Sequence, residues 1–241
     1  TGLYIIFPFE QNYFESKGIV PVFKGNPLVD AIEQRRGSLP SRERFVAENN
    51  LDDRPIVALL AGSRKNEIYE NLPDMVALSK RFPNYRFVVT GVSWLDKSVY
   101  DRIIDGSDVA YVCDKTYETL NVAEAAVVTS GTATLETALM NIPEMVLYHV
   151  PKLYEILRPY LLKIPFISLV NINLGYEAVR EIVSSRFDID VAAAELESIL
   201  EGSRRERMLA DFARLRTIIG GAGASERFAK DIVEQLKNDG E

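Results

Sequence analysis

A short polar turn, Thr129-Ser130-Gly131-Thr132, follows an apolar run and precedes an amphipathic helix. A strand that ends in such a turn brings backbone N–H groups to the positive end of the next helix, which suits a phosphate. Gly131 lets a diphosphate approach the backbone. The hydroxyls of Ser130 and Thr132 and the N–H groups of the first turn, including that of Ala133, can donate to it. An ordinary Ser/Thr helix cap has the same composition, so the residues alone leave both interpretations open.

Glu136 is the acidic residue that could complete such a site. It lies four residues after Thr132 and therefore on the same face of the helix. A carboxylate in that position can accept hydrogen bonds from the hydroxyls of a ribose. The alternative is a glutamate near the helix start that is stabilised by the helix dipole. The turn and Glu136 together suggest a nucleotide-sugar site of a glycosyltransferase.

Two further polar turns are expected to follow strands. Gly62-Ser63-Arg64 comes after an apolar run, and a guanidinium there can bind phosphate oxygens bidentately. Asn171 follows the last predicted strand, where its amide could contact a phosphate or a sugar. A solvated surface arginine and a turn asparagine are the ordinary alternatives for these residue types.

The elements that must position these turns alternate between strands and helices along the chain. The predicted strands are Leu3–Phe7, Ile19–Phe23, Ile56–Leu60, Arg86–Thr90, Val109–Val112, Ala125–Val128, a run after Pro143, and Phe166–Val170. The helices predicted after the last strand are Tyr176–Ser184, Val191–Leu200, Arg204–Ile219 and Ala224–Leu236. Alternation at intervals of a dozen or more residues predicts an α/β fold with a doubly wound parallel sheet. Ligands of such sheets bind beyond the carboxyl ends of the strands, so the three turns are expected to converge there.

The composition excludes several classes of protein. A net charge of −7 argues against a general nucleic-acid binder, although one bound nucleotide needs only local donors. With one cysteine, Cys113, and one histidine, His149, neither an internal disulfide nor a zinc site is expected. We expect Cys113 to be a small buried hydrophobic residue, and we assign His149 no catalytic role.

Three segments bear on the organisation of the chain and on its surroundings. The chain opens at Thr1, without a methionine and with a predicted strand already under way, so we expect it to be the C-terminal part of a longer protein. The polar segment Arg36–Ser41 has the composition of a linker. The helix predicted around Lys152–Lys163 mixes large apolar with basic side chains, which fits either a membrane-touching helix or a half-buried one.

Five motifs in a fixed order resemble lipid-A-disaccharide synthase, most closely its Bacteroidetes-like branch. They are Ile6-Phe7-Pro8-Phe9-Glu10, Gly25-Asn26-Pro27-Leu28-Val29-Asp30, Leu60-Ala61-Gly62-Ser63-Arg64 with Glu67, Thr129–Glu136, and Ser168-Leu169-Val170-Asn171. The resemblance runs from about Leu3 to the last helices, and five motifs in the right order make it specific.

The resemblance implies a GT-B glycosyltransferase with two Rossmann-like domains. Such an enzyme transfers 2,3-diacylglucosamine from UDP to 2,3-diacylglucosamine 1-phosphate (lipid X), giving the lipid A disaccharide 1-phosphate and UDP. It needs no metal and no cofactor. It works at the cytoplasmic face of the inner membrane of a Gram-negative bacterium. A homodimer is one option for its assembly, which the sequence does not decide.

Position by position, the resemblance assigns Gly62, Ser63 and Arg64, with the turn Ser130–Ala133, to the diphosphate. It places Glu136 at the ribose and Asn171 near the phosphate or the transferred sugar. The catalytic base is expected in the N-terminal part of the protein, so this chain should bind the donor and be inactive alone.

The implied domains are residues 1–36 as the end of the acceptor-side domain with its linker, 37–219 as the UDP-sugar domain, and 220–241 as a helix that packs back on the first domain. The family's N-terminal Ser-Gly-Asp motif is absent. Ala61, Asn173 and Tyr176 also depart from the usual residues, the last two in the Asn171 loop.

Two alternative functions stay open. One is another UDP-GlcNAc-dependent GT-B enzyme, such as a peptidoglycan-type glucosaminyltransferase or a 2-epimerase. The other is a non-catalytic nucleotide-binding module.

Overall fold

The computed structural model describes residues 2–129, 131–152 and 166–238. The strands are β1 Leu3–Ile5, β2 Pro21–Phe23, β3 Ile56–Leu60, β4 Arg86–Gly91, β5 Ala110–Cys113, β6 Ala123–Val128, β7 Glu144–His149 and β8 Glu181–Ser184. The helices are α1 Glu10–Glu15, α2 Pro27–Arg36, α3 Arg42–Glu48, α4 Lys65–Ser79, α5 Ser98–Ile104, α6 Thr116–Asn121, α7 Thr132–Leu139, α8 Leu169–Leu174, α9 Ile189–Leu200, α10 Ser203–Ile219 and α11 Ala224–Asn238.

Six of the described strands form one parallel sheet in the order β5-β4-β3-β6-β7-β8. Chain order runs outward from β3 through β4 to β5 on one side, and from β6 through β7 to β8 on the other. This is the strand order of a doubly wound dinucleotide-binding sheet, so the predicted fold class is confirmed. Strands β1 and β2 pair separately in a small parallel sheet.

The sheet is buried on both faces because its central strands are apolar at every position. In β3, Val57 and Leu59 face one apolar cluster, while Ile56 and Ala58 face the other. Adjacent side chains of a strand point to opposite faces, so a run without polar residues requires helices on both sides. This burial explains why β3 reads as one uninterrupted hydrophobic segment.

The start of helix α2 is tied to the first strand segment and to the last helix by two polar side chains. The side-chain amide of Asn26 donates to the Ile6 carbonyl (3.0 Å). The buried carboxylate of Asp30 accepts hydrogen bonds from the backbone N–H groups of Gly223 (2.5 Å) and Ser225 (2.7 Å), at the start of α11. Burial raises the pKa of Asp30, but these N–H donors outweigh it and hold the pKa below its usual value.

Helix α11 also contacts the small sheet. The Asp231 carboxylate accepts a hydrogen bond from the Tyr4 hydroxyl (2.7 Å) and pairs with Lys24 (2.8 Å). The rings of Tyr4 and Phe228 pack edge to face with centroids 5.5 Å apart. These contacts accord with a last helix that packs back on the first segment, while the division into domains stays a prediction.

Two predicted elements near the end of the sheet are wrong. Phe166–Val170 is not a strand: Ser168 caps helix α8, which runs to Leu174. The predicted helix Tyr176–Ser184 is also absent, because Glu181–Ser184 pairs with β7 as the edge strand β8. The helix predicted at Lys152–Lys163 lies outside the described residues beyond Lys152. No helix within the described ranges is both long and apolar enough to cross a membrane.

Glu144, the first residue of β7, is a buried acid on the edge of the sheet opposite the carboxyl ends of the strands. Its side chain is completely inaccessible, and neither carboxylate oxygen has a hydrogen-bond partner among the described residues. Burial raises the pKa of Glu144 well above its usual value. The folded protein therefore holds this proton at a pH at which an unfolded chain has released it.

This proton makes stability depend on pH. Below the unfolded pKa of about 4.3, Glu144 contributes no penalty. As the pH rises from there towards the folded pKa, the unfolded state loses its proton first and the free energy of unfolding falls.

We expect Glu144→Met to raise the free energy of unfolding by about 1 kcal/mol or more near neutral pH and to flatten its pH dependence. Urea unfolding at several pH values measures both effects. Glu70→Met, at an exposed site on α4, is the control and should change neither. An unchanged slope in the Glu144 variant would contradict the assignment.

Candidate functional site

A cleft of about 400 Å³ opens at the carboxyl ends of β3 and β6, where the connections leave the sheet in opposite directions. The predicted residues that line it are Gly62, Ser63, Arg64, Gly131, Thr132, Ala133 and Glu136. Residues that line it but were not predicted as ligand contacts are Leu60, Glu67, Thr90, Val92, Thr116 and Thr129. Ser130 lies outside the described residues. Two of the three predicted turns therefore meet in one cleft.

The first of these turns is closed by its own glutamate. The Glu67 carboxylate accepts the backbone N–H groups of Ser63 (3.1 Å) and Arg64 (3.2 Å) and pairs with the Arg64 guanidinium (2.6 Å). These N–H groups at the start of α4 are therefore occupied within the chain. The turn offers the cleft the guanidinium, since the Arg64 side chain is 80% exposed.

Gly62 is required in this turn for two reasons. Its φ of +106° lies in a region that side chains disfavour. A Cβ placed there would also lie 2.6 Å from Glu67 Oε2 and 2.7 Å from Glu67 Cβ. The glycine thus makes room for the carboxylate that fixes the turn.

The second turn begins where Thr129 ties β6 to β3. Its backbone N–H (2.9 Å) and its hydroxyl (3.1 Å) both donate to the Leu60 carbonyl. Helix α7 then starts at Thr132 after Gly131, whose φ is +123°. No described side chain caps this helix, and its first turn carries no acidic residue. Because a helix start leaves N–H groups unpaired, α7 presents donors and positive potential to the cleft.

The start of α7 carries no side-chain cap within the described residues. Thr132 is the first helical residue rather than the cap, and Gly131 occupies the cap position without a side chain. The Thr134 hydroxyl (2.9 Å) and its backbone N–H (3.3 Å) both donate to the Gly131 carbonyl, so the N–H groups of Thr132 and Ala133 are the first-turn donors without a partner among the described residues. These two N–H groups have the chemistry to bind an anion.

Glu136 lies one turn further along α7 and accepts a hydrogen bond from the Tyr117 hydroxyl of α6. Burial raises the pKa of Glu136, while the Tyr117 hydroxyl and the positive charge of Arg35 act in the opposite direction. The Arg35 guanidinium lies over the Tyr117 ring, 4.7 Å from its centroid. The cleft therefore combines anion-binding groups, Arg64 and the α7 start, with a carboxylate that suits hydroxyl groups.

Trp94, the only tryptophan of the sequence, contacts Ser63, which lines the cleft. Its side chain is 69% exposed, and its ring N–H donates to the Ser63 carbonyl (3.2 Å). Nothing in the local sequence indicates this contact, because Ser63 is 31 residues away. Its position makes Trp94 an intrinsic fluorescence reporter for the first turn.

The structure does not bring Asn171 into the cleft lining. The residue is completely buried, and its amide donates to the Val179 carbonyl (2.7 Å) and Glu181 (2.9 Å). Its oxygen accepts the N–H groups of Ala178 and Val179, both at 2.9 Å. With its amide group used within the chain, Asn171 joins α8 to β8, so the expected contact with phosphate or sugar is corrected to a structural role.

Two other residues can be placed. Cys113 is exposed at the end of β5, so its predicted burial is wrong. His149 is half-buried at the end of β7, and its backbone N–H donates to Asn71 Oδ1 (2.8 Å). Its ring contacts Phe187, with centroids 6.0 Å apart, and it has no assigned role in the cleft.

Several solved structures share this fold. The UDP-GlcNAc 2-epimerase of Neisseria meningitidis, in a crystal structure bound to UDP-GlcNAc, has a TM-score of 0.65 at 15% identity, over 96% of this chain and 60% of the epimerase. The epimerase of Methanocaldococcus jannaschii, in complex with UDP-GlcNAc and UDP, has a TM-score of 0.63 at 14% identity, over 97% and 61%. Sucrose-phosphate synthase from Thermosynechococcus elongatus has a TM-score of 0.55 at 16% identity, over 98% and 58%. At these identities the likeness concerns the fold, and it places the chain among proteins with the GT-B, Rossmann-like architecture.

The sequence itself decides the family. Residues 2–230 match the model of the family described as Lipid-A-disaccharide synthetase, and the chain belongs to that family. Curated lipid-A-disaccharide synthases from Myxococcus xanthus and Syntrophus aciditrophicus are 32% and 34% identical to it, over 96% and 97% of the chain. The chain spans 61% and 62% of their lengths. The family expected from the five motifs is confirmed, while the Bacteroidetes-like branch stays a prediction.

The geometry of the first turn makes a prediction for Gly62→Ala. The strained φ alone costs about 1–2 kcal/mol, and the clash with Glu67 should add to this cost. Gly106→Ala is the matched control, because Gly106 also has a positive φ (+67°) but no atom within 4 Å of an added Cβ. Urea unfolding should show the larger loss of stability for Gly62→Ala. Equal losses in the two variants would contradict the contact with Glu67.

Proposed function

We propose that the cleft binds the UDP part of a nucleotide-sugar donor. The observation that carries this proposal is the open start of α7 facing the same cleft as the Arg64 guanidinium, with Glu136 one turn further along the helix. A diphosphate needs N–H donors and a cation, and a ribose needs an acceptor for its hydroxyls. Two neighbours in fold, both epimerases, were crystallised with UDP-GlcNAc, which supports a UDP-sugar as the ligand class.

Five residues of the cleft lining take a role in this proposal. The N–H groups at Thr132 and Ala133 and the Thr132 hydroxyl donate to the diphosphate, which Gly131 allows to approach. Arg64 binds the same diphosphate from the other side of the cleft, and Glu136 accepts hydrogen bonds from the ribose. Ser130 keeps its predicted role at the diphosphate as part of the proposal.

We propose further that the whole protein is a hexosyltransferase that forms the lipid A disaccharide. It transfers 2,3-diacylglucosamine from its UDP carrier to the 6-hydroxyl of 2,3-diacylglucosamine 1-phosphate, and UDP leaves. Negative charge grows on the diphosphate as the bond to the sugar breaks. Arg64 and the α7 start, fixed in place before the reaction, stabilise that charge. The base for the acceptor hydroxyl belongs to the rest of the protein, and residues 37–219 form the donor-binding domain.

The acyl chains of the substrates determine where we propose that the enzyme works. Both sugars carry acyl chains, so the enzyme works at the cytoplasmic surface of the inner membrane, where those chains stay in the bilayer. A homodimer stays one option for its assembly. The 2-epimerases share the fold, but the curated relatives at 31–34% identity are lipid-A-disaccharide synthases, which favours the transferase. A requirement for an acylated donor separates the two activities.

UDP binding by the 241-residue chain tests the site. We expect UDP to bind and Arg64→Ala to weaken binding by about tenfold or more, since a hydrogen bond to a charged group contributes about 1.5–3 kcal/mol. Binding should also weaken with added salt. Calorimetry, or Trp94 fluorescence during titration, measures the dissociation constant.

Arg44→Ala is the matched control for this experiment. Arg44 is also an exposed arginine paired with a glutamate of its own helix, Glu48 (2.7 Å), but it lies on α3 outside the cleft lining. This variant should bind UDP as the wild type does. No measurable UDP binding by the wild type, or equal losses in both variants, would count against the proposed site.

A second prediction follows from the proposal that this chain binds the donor while the rest of the protein supplies the catalytic base. With the base supplied by the rest of the protein, the 241-residue chain should bind UDP without forming disaccharide from acylated donor and acceptor. A radiolabelled acceptor assay measures this. Robust disaccharide formation by this chain would show that the base lies within it.

A further inference from the structure

The contact between Tyr117 and Glu136 has no part in the proposed binding of the diphosphate. The Tyr117 hydroxyl donates to Oε1 of Glu136 and so joins α6 to α7 beside the cleft. Thr116, the residue before Tyr117, itself lines the cleft. Both partners of the hydrogen bond are half-buried, so their geometry is set by packing as well as by the bond.

The partner of Glu136 is a neutral group. Within the described residues, Glu136 forms no ion pair, because the Arg35 guanidinium lies over the Tyr117 ring rather than against the carboxylate. A half-buried carboxylate requires at least one donor. An arginine in that place would bind the carboxylate bidentately and compete with ligand hydroxyls, whereas one phenol leaves the negative charge available.

The second carboxylate oxygen is the one left for a ligand. The structure gives Oε2 of Glu136 no hydrogen bond within the described ranges, and Glu136 is part of the cleft lining. A free glutamate side chain samples several rotamers, and fixing them on binding reduces affinity. A hydrogen bond to Oε1 fixes the side chain before the ligand arrives.

We infer that Tyr117 is a positioning residue, whose hydroxyl holds Glu136 so that the free carboxylate oxygen meets the vicinal hydroxyls of the donor's ribose. This inference rests on the proposed function, in which Glu136 faces the ribose. Arg35 supports the arrangement from outside by stacking on the Tyr117 ring, 4.7 Å from its centroid. The effect of Tyr117 therefore depends on the ribose diol and not on the diphosphate.

Two ligands and one conservative variant test the inference in the 241-residue chain. The ligands are UDP and 2′,3′-dideoxyuridine 5′-diphosphate, which lacks the diol, with Kd measured by calorimetry. Tyr117→Phe removes only the hydroxyl and keeps the ring on which Arg35 stacks. We expect the wild type to prefer UDP. The variant should bind UDP about tenfold more weakly, a difference of ~1.4 kcal/mol, and bind the dideoxy ligand as the wild type does.

Tyr176→Phe is the matched control. The Tyr176 hydroxyl also donates to a carboxylate, that of Asp211 (2.5 Å), but this pair lies outside the cleft lining. The control should change neither Kd. In a Glu136→Ala background, Tyr117→Phe should cause no further loss of UDP affinity, because its effect passes through that carboxylate.

The outcomes separate the inference from the function on which it rests. If the wild type does not bind UDP, the proposed function fails and the inference fails with it. If the wild type prefers UDP and Tyr117→Phe keeps that preference, only the inference is overturned. An equal loss for both ligands would also overturn it, since Tyr117 would then support the fold of the cleft rather than the orientation of Glu136.

Discussion

The pairing of β3 with β6 is the constraint from which the rest of the site follows. Ile56–Leu60 lies beside Ala123–Val128, and Thr129 closes the end of the pair by donating twice to the Leu60 carbonyl. Because both strands run in the same direction and their connections diverge, two turns that are far apart in sequence end at one crevice. The apolar cores on the two faces of the sheet hold this register, since a slip by one residue would exchange the faces.

The two helices that start at this crevice use the same backbone chemistry in different ways. At α4, the Glu67 carboxylate occupies the N–H groups of Ser63 and Arg64. At α7, Gly131 brings no side chain, so the donors there face the cleft. In the proposed function, one helix start therefore supplies backbone donors for the diphosphate, while the other supplies a single guanidinium. This arrangement would keep the negative charge of Glu67 paired when a phosphate binds on the opposite side of the cleft.

Much of the sheet and half of the site could be predicted from local sequence. Runs such as Ile56–Leu60 are apolar at every position, and glycines at 62 and 131 mark turns at their ends. The errors arise where distant contacts decide the conformation. Phe166–Val170 has the composition of a strand, but Ser168 caps a helix and the Glu181 carboxylate accepts the N–H groups of Ile167 and Ser168 (both 2.9 Å). Similarly, Tyr117 and Glu136 are 19 residues apart, so no local pattern shows that they meet.

The hydrogen bonds of Asp30 in α2 have a consequence for where this chain can be cut. The glycine-rich stretch 220–223 looks like a convenient boundary, because it separates α10 from the last helix. Removing α11 there would take from the Asp30 carboxylate the N–H groups of Gly223 and Ser225 that lower its pKa. The last helix is thus held against the start of α2 by these hydrogen bonds, and the glycine-rich stretch connects two packed helices.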